Sequence, residues 1–169
     1  MPEHMDGPTG GRGKWGQRDV PKRGWVCQDI KDLGAPLATC DMCETMTIRY
    51  VHLMAHDDYP EELACGCVCS GHMEQNLEAA KARETTMKNR ARRRETWPDL
   101  RAWRFSRSGN RTIIKDGYRV TVFGAGRGYR VSVGREFSGK PTFGRRTYEN
   151  ERKAMIASFD AFMWAQENV

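Results

Sequence analysis

The stretch "CDMCETMTIRYVHLMAHDDYPEELACGCVCSGHM", residues 40–73, decides the fold of the first half of the chain. It holds five of the six cysteines and three of the four histidines. Zn²⁺ is bound in proteins mainly by thiolates and imidazoles. In a reducing compartment, clustered cysteines are more often metal ligands than disulfide partners. The stretch therefore predicts a module that binds Zn²⁺.

The spacing of the cysteines favours a structural metal site. Cys40 and Cys43 form a Cys-x2-Cys step, which lets two thiolates reach one ion. Cys69 is the best third ligand, because it is expected where a strand meets a helix. Cys65 is treated as a bystander, although in a strand the cysteines two residues apart at 65–69 would share a face. The fourth ligand is open among Cys67, His56 and His72.

A catalytic metal is the alternative interpretation of the same stretch. His52 and His56 lie four residues apart, so a regular strand or helix would turn them the same way, and Asp57 and Asp58 follow. Two histidines and a carboxylate could hold a catalytic zinc ion with an open position, as in a zinc-dependent hydrolase. The chain contains neither H-E-x-x-H, the signature of zinc metalloproteases, nor H-x-E followed by P-C-x-x-C, the signature of zinc deaminases. The pattern therefore favours a binding protein over an enzyme.

A structural ion would also answer a stability problem in residues 25–72. This segment is short and acidic, and it has few large apolar side chains. So small a core rarely suffices without a disulfide or a metal. Zinc bound to thiolates supplies folding free energy directly.

The same residues resemble a segment of small bacterial and phage zinc-ribbon-like proteins. The resemblance rests on Cys40, Cys43, the run 48–51 (Ile-Arg-Tyr-Val), Gly66 and Cys69. It covers about a third of the chain. It implies a zinc-bearing fold and carries no activity with it.

Charge divides the chain into unlike parts. Residues 25–78 carry ten acidic side chains against two basic ones, a sum of −8. Residues 79–169 carry 21 Lys/Arg against nine Asp/Glu, a sum of +12. A basic half of this kind indicates an anionic partner, most often nucleic acid.

The basic half supplies candidate contacts for DNA or RNA. Arginines bind phosphates and guanine edges, and the interleaved aromatic side chains could stack on unpaired bases. The alternative is an interaction or inhibitor protein whose acidic segment, around 57–62, docks on a nucleic-acid-binding partner. The candidate nucleic-acid residues are Lys88, Arg90, Arg92, Arg93, Arg94, Arg119, Arg127, Arg130, Arg145 and Arg146.

The pattern along the chain predicts an α+β protein. Residues 1–24 are rich in Gly and Pro and predict a disordered basic arm. A zinc-ribbon-like module (25–72) and a basic helix (73–97) follow, and Glu84 interrupts the weak apolar stripe of that helix. Residues 98–169 predict a β-β-β-α module, with the hairpin strands at 118–123 and 129–133. With neither a membrane span nor a secretion signal in this sequence, we expect a cytoplasmic protein.

Overall fold

The computed structural model describes residue 8 and residues 10–169. Helices and sheets are both present, which confirms the α+β class. The chain divides into two compact units, Met1–Ala91 and Arg92–Val169.

The first unit is built on an antiparallel three-stranded sheet in the order β1-β4-β5. A short hairpin of β2 and β3 flanks the Cys-x2-Cys loop, and two helices complete the unit. The elements are β1 (Val26–Asp32), β2 (Ala38–Thr39), β3 (Thr47–Ile48), β4 (Tyr50–His56), β5 (Tyr59–Cys65), α1 (Cys67–Met73) and α2 (Leu77–Thr96), of which the residues up to Ala91 belong to this unit and residues 92–96 to the second.

The prediction of a disordered arm over 1–24 is wrong for residues 10–24. Trp15 and Val20 are buried in the core of the first unit. Gly13 allows the close approach, because it has a φ of +61° and a Cβ there would lie 2.7 Å from the backbone of Cys43. This glycine thus serves tight packing between the segment and the Cys-x2-Cys loop. Residues 1–7 and 9 of the predicted arm lie outside the described residues.

The predicted single helix is broken into α1 and α2. Gln75 adopts a left-handed backbone with a φ of 58°, which ends α1. Asn76 then caps α2, since its side-chain oxygen accepts a hydrogen bond from the Ala79 N–H at 3.0 Å. A Cβ on Gly71 would lie 2.6 Å from Leu77, so the two helices approach closely at this point.

The second unit is a five-stranded antiparallel sheet in the order β10-β9-β8-β7-β6, backed by one helix. The predicted hairpin strands are present and longer than expected, and a two-residue turn at 126–127 joins them. Two strands before the hairpin were not predicted. The elements are β6 (Arg104–Phe105), β7 (Arg111–Lys115), β8 (Tyr118–Ala125), β9 (Gly128–Arg135), β10 (Thr142–Phe143) and α3 (Glu151–Asn168).

One face of this sheet packs against α3 and forms an apolar core. Alternate residues of β8 and β9 point into it, as the period-2 pattern predicted. Phe159 and Phe162 of α3 fill the centre, and Phe162 stacks on Trp97 with ring centroids 4.9 Å apart. The buried strand residues are Ile113, Tyr118, Val120, Val122, Val131 and Val133.

No helix in the described part of the chain has both the length and the apolar character needed to cross a membrane.

Candidate functional site

Three buried sulfurs converge at the Cys-x2-Cys loop. The Sγ atoms of Cys40, Cys43 and Cys69 all lie within 4.8 Å of one another. A tetrahedron of sulfurs around Zn²⁺ has edges of about 3.8 Å, which follows from a Zn–S distance of about 2.3 Å. The three sulfurs are therefore close enough to hold a metal ion after small side-chain adjustments. Cys65 is fully buried with its thiol against Cys40, so a fourth sulfur is at hand.

Hydrogen-bond donors surround these sulfurs. Each of the three accepts one bond at 3.4 Å from a group outside the cluster. Donors placed this way stabilise negative charge on sulfur and orient the ligands of a metal site. The donor and acceptor pairs are Gly66 N–H to Cys40, Thr45 Oγ1–H to Cys43 and Trp15 Nε1–H to Cys69.

The thiols of Cys40, Cys65 and Cys69 strongly shift one another's pKa. Hydrogen bonds from Cys65 and Cys69 hold the pKa of Cys40 well below its usual range. The same hydrogen bonds, followed by burial, raise the pKa of Cys65 and Cys69. The sulfurs of Cys40, Cys65 and Cys69 thus share protons through their mutual hydrogen bonds. A bound divalent cation would replace those protons.

The end of β5 explains which cysteines converge. The strand stops at Cys65, and Cys67 is already the first residue of α1. Side chains two residues apart on an α-helix are rotated by about 200° around the helix axis, so Cys67 and Cys69 face different sides. The expectation that these cysteines share a face fails because the strand ends before Cys67. Only the position of the β5–α1 junction could have revealed Cys65 as a neighbour of Cys40.

The two histidines considered as fourth ligands lie elsewhere. His72 is exposed on α1. His56 contacts the backbone through both ring nitrogens: Nε2 lies 3.1 Å from the carbonyl oxygen of Arg23, and Nδ1 accepts from the Asp58 N–H at 3.0 Å. Its imidazole is therefore occupied by backbone groups of Arg23 and Asp58.

The hydrolase set is not brought together either. The pairing of β4 with β5 shifts register between Met54 and His56, so His52 and His56 do not continue one regular alternation. His52 is fully buried and its Nε2 lies 3.4 Å from Glu84 of α2. His56 faces the β4–β5 turn. A bulge of this kind has no signature in "YVHLMAHDDY".

His52 instead belongs to a second group of metal-ligating side chains. Ligand atoms of His52, Cys67 and Glu84 all lie within 4.8 Å of one another, so this group could also hold a metal ion. Burial lowers the pKa of His52. Burial also raises the pKa of the Cys67 thiol. The contact between Glu84 and His52 explains why a glutamate interrupts the apolar stripe of α2.

The open face of the second sheet, opposite α3, carries basic and aromatic side chains. Phe123 and Phe143 meet edge to face there, with ring centroids 5.9 Å apart, and Phe143 is 55% exposed. Arg119 is exposed beside a cleft of about 290 Å³ on this face. Arg130 lies next to them and donates from Nε and Nη2 to the carbonyl oxygen of Gly144. The strand register places these residues on one surface.

The remaining candidate arginines lie in different surroundings. Arg127 is exposed at the tip of the β8–β9 turn. Arg145 and Arg146 are exposed after β10, and Arg146 lines a cleft of about 410 Å³ together with Arg94. The last group lies along α2: Lys88 pairs with Glu84 at 2.7 Å, Arg90 and Arg92 are exposed, Arg93 lies over the ring of Phe159, and Arg94 pairs with Asp160 at 2.9 Å.

No protein-family model, curated protein or solved structure matches this chain.

Proposed function

We propose that this chain is a nucleic-acid-binding protein whose first unit folds around a structural Zn²⁺ ion. The ion would be held by the four buried cysteines Cys40, Cys43, Cys65 and Cys69. The second unit would bind the nucleic acid with the open face of its sheet.

The zinc part of the proposal rests on the donor set and its burial. Four thiolates are the ligand set of many structural zinc sites, which are closed to solvent and lack an exchangeable position. The sulfurs here are buried, and three of them accept hydrogen bonds from neighbouring groups. Burying several thiolates without a cation would be costly, so the cluster is best suited to a bound metal.

The nucleic-acid part rests on one observation, the basic and aromatic open face of the second sheet. Its aromatic pair Phe123–Phe143 offers ring faces and edges beside Arg119 and Arg130. Aromatic side chains flanked by cations are the usual surface on which unpaired bases stack. Residues 92–169 carry 17 Lys/Arg against eight Asp/Glu, a net charge of +9 that complements a polyanion.

The test is fluorescence anisotropy of the full chain with labelled single-stranded RNA, single-stranded DNA and duplex DNA. Binding should weaken steeply with salt, because counterions are released from the phosphates. The double substitution Arg119→Glu and Arg130→Glu should weaken binding by about tenfold or more. A charge-matched control, Arg152→Glu with Lys153→Glu, changes α3 and should have a much smaller effect.

Two results would contradict the nucleic-acid proposal. One is an affinity that does not change with salt, and the other is an equal loss in both double variants. In either case the open face would not be the interface. The zinc part is tested separately: Cys43→Ser should contain less zinc than the unsubstituted chain.

An exposed acidic turn favours a second candidate function, docking on a basic protein. Asp57 and Asp58 form the turn between β4 and β5, and Glu61 and Glu62 follow on β5; all four are exposed. This surface could dock on a partner that itself binds nucleic acid. Under this alternative, Asp57→Lys with Asp58→Lys would abolish partner binding, while nucleic acid alone would not bind the chain.

A further inference from the structure

A second cluster of unlike ligands lies in the first unit, separate from the four cysteines. One residue comes from each of three elements: His52 from β4, Cys67 from α1 and Glu84 from α2. Ligand atoms of the three lie within 4.8 Å of one another. We propose that they form a second Zn²⁺ site, with three protein ligands and one position open to a cleft.

The donor types suit Zn²⁺. Imidazole nitrogen, thiolate sulfur and carboxylate oxygen are the three ligand classes that this ion takes in proteins. A site with three protein ligands leaves one coordination position for water or another small ligand. One thiolate and one carboxylate also balance the charge of a divalent ion, so the partly buried site is neutral when loaded.

Neighbouring side chains hold Glu84 in a ligating orientation. Lys88 forms a 2.7 Å ion pair with Oε1 of Glu84. The other oxygen, Oε2, is 3.4 Å from Nε2 of His52. One carboxylate oxygen is thus held by a cation while the other faces the imidazole, which is how an outer-shell partner positions a ligand.

Arg83 is the neighbour that must move when the ion binds. Its Nη2 lies 3.4 Å from Nδ1 of His52 and 2.7 Å from Oε1 of Glu74. A metal on Nε2 of a neutral imidazole leaves the proton on Nδ1, where Arg83 can no longer donate. Zn²⁺ binding therefore shifts Arg83 fully onto Glu74, its shorter contact.

The open position faces a cleft. Cys67, Glu84, Lys88 and Tyr50 line a space of about 490 Å³, while His52 is fully buried behind them. The Lys88 ammonium lies 5.6 Å from the centre of the Tyr50 ring and gives the wall positive charge. The exchangeable ligand is accordingly water or a small anion.

The experiment measures zinc per chain in the full-length protein after dialysis, together with the affinity for each ion by competition with a chelating dye. Cys67→Ala should lose one ion relative to the unsubstituted chain. Cys27→Ala is the matched control and should lose none, since Cys27 donates to a backbone carbonyl on β1 and belongs to neither cluster. Glu84→Gln should lower the affinity for one ion by about tenfold or more, which is the usual cost of disturbing a ligand or its orientation.

Failure of this site is distinguishable from failure of the four-cysteine site. Cys43→Ser disturbs the four-cysteine site that holds the first unit together and should release both ions, whereas Cys67→Ala and Glu84→Gln should each affect one ion. Unchanged zinc content and affinity in both Cys67→Ala and Glu84→Gln would overturn the proposal. Glu84→Gln provides the decision if Cys67→Ala does not fold, because Glu84 is partly exposed on α2.

Co²⁺ tests the open position. In the Co²⁺-loaded chain, azide should change the visible absorption bands, because a small anion can enter only an open coordination sphere. The change should be absent in Cys67→Ala and retained in Cys27→Ala. Bands that do not respond to azide in the unsubstituted chain would contradict an exchangeable position.

Discussion

The cores of the two units are built from different types of side chain. The core of the second unit consists of aromatic and aliphatic side chains from its sheet and α3, together with Trp97 and Trp103. The core of the first unit combines two tryptophans and three methionines with the four clustered cysteines. One core can be stabilised by apolar burial alone, whereas the other is organised around groups that gain most from a bound cation. The same chain thus contains two different solutions to the stability of a small domain.

The largest expected effect is the loss of a cysteine ligand. Cys43→Ser should unfold the first unit, because structural Zn²⁺ contributes about 10–16 kcal/mol to the folding of small zinc peptides. Thermal unfolding followed by circular dichroism should then show the first unit already unfolded at low temperature, with the second unit still melting cooperatively. Cys27→Ser is the control. A first unit that melts at the same temperature in both variants would remove the distinction between the two cores.

A cavity in the second core should come next in size. Phe162→Ala deletes a fully buried ring that stacks on Trp97, which costs about 3–5 kcal/mol. Chemical denaturation should show this loss in the second unit, and the zinc content should not change. Phe137→Ala is the control, because that ring is 93% exposed. A fall in zinc content would indicate that the two cores are not independent.

Removal of the aromatic pair tests what the second unit does with its open face. Phe123→Ala with Phe143→Ala should weaken binding of a single strand by about 1–3 kcal/mol for each stacked base that is lost. Trp164→Ala, an exposed aromatic residue on α3, should leave the affinity unchanged. Anisotropy titrations at fixed salt measure both. Equal affinities in the two variants would assign binding to charge alone.

The smallest effect concerns local stabilisation of α3. The Asn150 side chain accepts a hydrogen bond from the Lys153 N–H at 2.9 Å and caps the helix. Asn150→Ala should cost about 1 kcal/mol. Asn168→Ala at the other end should cost less, and denaturant midpoints of the two variants give the comparison. A larger loss in Asn168→Ala would mean that the cap adds little.

Regular alternation made the second unit the more predictable part. Valines at every second position of β8 and β9 lie on the core face as predicted, since a half-buried strand imposes that period. Strands β6 and β7 were missed, because "RF" is too short to carry a pattern and "RTIIK" alternates weakly.

The first unit was harder to predict because its decisive features are not periodic. Cys-x2-Cys marks the loop at the cysteine cluster, but the strand end at Cys65 separates Cys67 from the other cysteines. The contact between His52 and Glu84 joins residues 32 positions apart, and no local pattern predicts it. Trp15 likewise reaches Cys69 from a segment whose composition is that of a disordered tail.

The most direct test of this account is hydrogen exchange of the full chain with and without a strong zinc chelator. If metal holds only the first unit together, chelation should remove protection from β1, β4, β5 and α1 and leave β8, β9 and α3 unchanged. Protection that stays the same in both units would contradict the central claim, because the first core would then be stable without metal. Loss of protection in both units would contradict it as well, because the second core would then depend on the same ion.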